Sequence, residues 1–227
     1  MEKHIKAMRR IFSISILVTL VGLFSACSWE QDYPELKAQA QVYEYQPDQP
    51  TIVEVEVIPM GDVELFFDDM VKETNADYMN RYGIGVKFTL GERQPLPKKV
   101  LDGYIFTPDE KSDQVRKITS YVFDKEYFNV MRAVGYAAIG YAAIVIRADG
   151  QRDRTTAHEI AHILGLKHVD IDYNVMEIEG GIGMYGEPNN FVPQQVDTML
   201  TAIETNTNLY KLAKSGHADK INQFIVR

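Results

Sequence analysis

The sequence predicts an α/β domain, in which strand patterns alternate with helical ones and one helix carries a cluster of histidines. Residues 51–58, TIVEVEVI, and 86–90, VKFTL, alternate in polarity with the period of half-buried strands. Between them, residues 61–82 place Val63, Phe66, Phe67, Met70 and Val71 at helical spacing, and Gly83 stands where such a helix would stop. Downstream, an apolar run at 135–146 reads as sheet, and it precedes a histidine-bearing segment at 158–168 with helical spacing.

The chain has 227 residues, enough for one domain with a real core plus a tether. Its composition, 45% hydrophobic and 25% charged, is that of an ordinary globular protein. A net charge of −8 argues against nucleic acid as a partner. Nothing in the pattern calls for an oligomer, and a monomer is expected.

In chain order, the N-terminus comes first. Lys3, Lys6, Arg9 and Arg10 precede an apolar run over residues 11–24, and small residues lead to Cys27. A charged start, an apolar centre and a small-residue exit make residues 1–26 a secretory signal peptide. The run is shorter than the ~20 residues that span a bilayer comfortably. LFSAC, ending at Cys27, resembles the lipobox of bacterial lipoproteins. That resemblance implies a lipid on Cys27 and a protein held to the bacterial cell envelope, at the outer membrane or cell surface. The other reading is an uncleaved signal anchor. Cys27 is the only cysteine, so no internal disulfide forms. Residues 27–50, polar and proline-bearing, read as a tether or a short pro-segment, and the globular domain is expected over 51–227.

The strand, helix and strand described above begin that domain. The run at 135–146, GYAAIGYAAIVI, contains GYAAI twice, too few copies for a repeat architecture. It is read as core sheet, in one or two short strands. If part of it forms a sheet edge, a substrate could add there as an extra strand.

Residues 158–168, HEIAHILGLKH, hold three of the five histidines. His158 and His162, four apart, share a helix face with Cβ atoms roughly 6 Å apart. Two imidazoles so placed can grip one ion, and Glu159 stands beside them, able to reach a water on it. This is the H-E-x-x-H zinc signature. Gly165 can enter the left-handed conformation that ends a helix. A chain reversed there brings His168 back as a third ligand, leaving the fourth position open to water as in catalytic zinc sites. Glu177 and Glu179 are the rival third ligands, less well explained because neither sits in a second helical pattern. For the helix start, Thr156 with Glu159 matches a capping box, which would engage Glu159 with backbone. Asp153 as N-cap leaves Glu159 free and is preferred.

The full pattern, with Asn174-Val175-Met176 after it, resembles the metzincin zinc peptidases. The gap of eight residues from His168 to Met176 is similar to that of the matrixin branch, and residues 191–204 resemble its closing helix. Val169, where metzincins often carry Ser, Glu or Asp, departs from the pattern.

The resemblance implies an α/β, zincin-like (metzincin) catalytic domain, a mixed twisted sheet with an active-site helix and a closing C-terminal helix, with an upper subdomain over 51–168 and a lower one over 169–227. It also implies one catalytic Zn2+ on His158, His162 and His168, Glu159 as general base, and Met176 as a hydrophobic floor. In such enzymes the loop after the methionine turn walls the pocket for the side chain following the cut, which here offers Ile182, Met184 and Tyr185. The expected activity is zinc-dependent endopeptidase cleavage of protein or peptide substrates. The alternatives are a catalytically silent zinc-binding surface lipoprotein and a zinc hydrolase of cell-wall amides. Residues 208–227 have helix-compatible apolar spacing outside the resemblance, and His217 there reads as a surface residue.

Overall fold

The computed structural model describes residues 50–131, 133–169, 174–177 and 190–208. The calls on residues 1–26, on Cys27, on the tether, on Ile182, Met184 and Tyr185 and on His217 lie outside them. No helix among the described residues is long and apolar enough to cross a membrane.

Strand β1, Thr51–Pro59, buries Val53, Val55 and Val57 and exposes Glu54 and Glu56, as its alternation requires. The chain then turns at Gly61, whose φ of 62° is left-handed. Helix α1 begins only at Phe67 and runs Phe67–Lys72, not from residue 61 as the spacing predicts. The reason is tertiary. The buried Gln151 amide accepts from the Phe66 N–H at 2.8 Å and donates to the Glu64 carbonyl at 3.0 Å, so it satisfies this backbone in a non-helical path. Arg93 adds a bond to the Val63 carbonyl at 3.2 Å. Beyond α1 the helix widens into a π-helical segment, Glu73–Met79, tightens over Asn80–Tyr82 and stops at Gly83 with φ of 75°.

Strand β2, Ile84–Leu90, follows, then a single helical turn α2, Lys98–Leu101, and strand β3, Lys117–Phe123. The apolar run at 135–146 resolves into two strands: β4, Gly135–Ala138, and β5, Ala143–Arg147. Gly140 and Ala142, both at positive φ, turn the chain between them. The sheet order is β2-β1-β3-β5-β4, parallel throughout except for β4, which pairs antiparallel with β5 and forms one edge. The expected α/β class with a mixed sheet is therefore what the chain adopts.

Two helices cover one sheet face: α3, Thr155–Ile163, and α4, Pro193–Thr205. Val55, Val57, Ile118, Val122, Ile144 and Ile146 pack there against Ile160, Leu164, Met199 and Ile203. Each large side chain fully buried in this way contributes about 1.5–3 kcal/mol of transfer free energy. The other face carries an aromatic layer, in which Phe106 lies 4.8 Å from Tyr121 and 5.1 Å from Phe123 between ring centroids.

Helix α4 corresponds to the closing helix expected over 191–204. Pro193 suits its first position, and the Gln195 side chain reaches back to the Val192 N–H at 3.0 Å. Asn206, with φ of 50°, ends it. The Asn206 side chain accepts from the N–H groups of Val115 and Arg116 at 3.2 and 3.0 Å, which ties the helix end to the approach to β3.

Candidate metal centre

Helix α3 starts one residue beyond the expected Asp153: Arg154 is the N-cap, with no side-chain cap bond. Asp153 is extended, Arg154 is already helical, and the Asp153 carboxylate accepts from the Thr155 N–H at 2.7 Å. The Thr156 hydroxyl is buried with no partner among the described residues, so the capping box does not form. The Glu159 side chain packs instead against Gly135 of β4.

The C-terminal end follows the glycine expectation. Gly165 has φ of 99°, its N–H donates to the His162 carbonyl at 3.0 Å, and the Leu166 N–H donates to the Ala161 carbonyl at 3.0 Å. This pair of bonds is a Schellman motif. The Asn208 side chain, from beyond α4, closes the Ile163 carbonyl at 2.9 Å. The reversal carries His168 back beneath the helix.

There the three Nε2 atoms of His158, His162 and His168 form a triangle with every side 3.1 Å. They are the one group of metal-competent side chains among the described residues, and Glu177 is not part of it. Glu179 lies outside the described residues. The far nitrogens decide the chemistry. His158 Nδ1 stands 2.6 Å from the Val175 carbonyl and His162 Nδ1 stands 2.8 Å from the Leu166 carbonyl. A carbonyl accepts only, so both rings carry their proton on Nδ1 and turn a bare Nε2 lone pair inward. Converging lone pairs repel unless a cation lies among them.

The triangle fits zinc in size as well. Nitrogens 3.1 Å apart lie about 1.8 Å from their common centre, inside the Zn–N distance of about 2.0 to 2.1 Å. One ion can therefore reach all three while keeping an open side. Loss of solvent, then neighbouring imidazoles, holds the His158 pKa well below its usual value, and loss of solvent, then His168, holds His162 at about 4. Both rings thus remain neutral ligands into acid. Burial, with Asp153 adding to it, pushes the Glu159 carboxyl up to about 8. A cation held by the histidines acts on it in the opposite sense.

Residues to which the sequence reading gave no role hold this arrangement. The Arg154 guanidinium donates to the carbonyls of Asn174 and Glu177 at 2.8 and 3.1 Å, clamping both ends of the turn that carries Met176. Inside the turn, the Asn174 side chain accepts from the Met176 N–H at 2.9 Å. It also exchanges two bonds with Gln195 of α4, at 2.9 and 3.2 Å. Helix α4 thus fixes the turn whose Val175 carbonyl orients His158. Met176 is fully buried in the main core. A buried amide pair 21 residues apart has no periodic signature and could not be read from one sequence.

No protein-family model matches the chain, and no curated protein matches it in sequence. Among solved structures, metalloproteinase-II from Bacteroides fragilis aligns with a TM-score of 0.46 at 17% identity, over 73% of this chain. The chain spans 58% of that protein's length. Archaemetzincin from Methanopyrus kandleri aligns with a TM-score of 0.42 at 15% identity, over 68% of this chain and 97% of its own. A zinc-dependent peptidase from Methanocorpusculum labreanum aligns with a TM-score of 0.34 at 14% identity, over 64% and 91%. The case for a metal centre rests on the three histidines themselves.

Proposed function

We propose that the chain is a zinc-dependent endopeptidase of metzincin type, with His158, His162 and His168 as ligands and Glu159 as general base. The observation that carries this reading is the convergence of three imidazole Nε2 atoms, two from the helix and one from the segment after Gly165, beside Glu159, a carboxylate residue 6% exposed. When bound, zinc polarises a scissile carbonyl and lowers the pKa of water from about 15.7 towards about 7. Glu159 takes the proton of the attacking water and delivers it to the leaving amine. The Val175 and Leu166 carbonyls keep His158 and His162 in the tautomer that can ligate. Strand β4, paired only with β5 among the described strands, offers its free edge to an extended peptide. Met176 acts as the hydrophobic floor of the site.

The direct test is a cleavage profile of the purified chain on a mixed peptide library, with and without chelator. Chelator-sensitive internal cleavage is expected. Bonds preceding a medium or large apolar residue should be preferred, because Ile182, Met184 and Tyr185 are assigned to the wall of that pocket. Such walls discriminate by only about 1 to 3 kcal/mol per methylene, so the preference should be graded. Identical profiles from the parent, Met184→Ala and Tyr185→Ala would remove these side chains from the pocket. Cleavage confined to cell-wall amides would move the substrate class.

Cys27 is proposed to carry lipid and to hold the protein at the cell envelope. One acyl chain anchors only marginally and two or more anchor stably. Cys27→Ala should therefore move the protein from membrane to soluble fractions. Continued membrane association of that variant at full precursor length would mean an uncleaved signal anchor.

A further inference from the structure

Gly135 opens β4 opposite Ile146 of β5, inside a regular ladder and without a left-handed backbone. Glycine weakens a strand, so its place there asks for another reason, and close approach of a neighbour is one. A Cβ at Gly135 would stand 2.6 Å from Thr155 Cγ2 and 3.0 Å from both Cγ and Oε1 of Glu159. Thr155 and Glu159 are four residues apart and share one face of α3. That face lies directly on the backbone of the edge strand. Gly150 completes the slot: a Cβ there would meet Thr155 Cγ2 and Oγ1 at 3.4 Å and the Val134 carbonyl at 3.0 Å. Thr155, 5% exposed, is thus seated between two glycines, with the Glu159 carboxylate one helical turn beyond it.

We propose that Gly135 is a positioning residue for Glu159. By having no side chain it lets α3 settle against β4 and fixes the carboxylate relative to the strand edge where an extended substrate docks. This rests on the reading of Glu159 as the base. Any side chain at position 135 shifts the carboxylate by a few tenths of an ångström. Misplacement by about 1 Å can cost about 10²-fold in rate, so a shift of this size should cost roughly tenfold.

Two variants separate positioning from packing. Gly135→Ala alone meets Thr155 and Glu159 together and should lose both melting midpoint and turnover. Adding Thr155→Ser removes the methyl at the closest contact and leaves both Glu159 contacts in place. The double variant is expected to regain the melting midpoint, with and without chelator, and to bind zinc as the parent does. Its KM should stay within about twofold of the parent while kcat remains about tenfold lower. A double variant with parental kcat, or a folded Gly135→Ala with parental kcat, would overturn the proposal by reducing Gly135 to a packing residue. Either result with an active parent removes this inference alone. A parent without peptidase activity, or a Glu159→Gln variant that keeps it, removes the reading beneath.

Discussion

Glu159→Gln is expected to retain the fold and its metal while losing peptidase turnover by about 10²- to 10⁴-fold, the usual contribution of a positioned general base. The substitution keeps the side chain's length against Gly135 and removes its proton-accepting charge. Its position off the Nε2 triangle means that metal content should not change. Steady-state kinetics beside metal analysis checks both halves. Near-parental turnover would leave Glu159 a packing residue on the edge strand, and lost metal would make it a ligand.

The second large effect concerns the ligands. His162→Ala and His168→Ala should each reduce zinc from about one per chain to background, with activity lost alongside. Three protein ligands are the minimum of catalytic zinc sites, and two imidazoles leave the ion weakly held. Because bound metal stabilises only the folded chain, both variants should also lose the rise in melting midpoint that added zinc gives the parent. Chelation of the parent should reproduce these losses, and zinc should reverse them in the parent alone. Unchanged occupancy in both variants would remove the site as drawn.

The parts of the structure legible in the sequence are those set by local periodicity and by glycine. TIVEVEVI became β1 because its alternation matches a strand buried on one face. The turn at Gly165 followed because only glycine enters that conformation freely, and it alone aims His168 at the other two. The start of α1 was misread because Gln151, some 85 residues away, satisfies the backbone that the periodicity assigns to helix. Separations of about 20 residues hid the roles of Arg154, Asn174 and Gln195, which exist only once the turn and α4 are side by side. Gly135 sat in a conspicuous repeat, yet nothing in GYAAI tells which of its copies meets a helix.

The central claim, one metal ion held by three histidines, is tested most directly by diffraction from zinc-loaded crystals on both sides of the zinc absorption edge. The expected result is a single anomalous peak about 2.0 to 2.1 Å from Nε2 of His158, His162 and His168, with no fourth protein ligand. The absence of a peak there, or a metal held by Glu177 in place of His168, would contradict it.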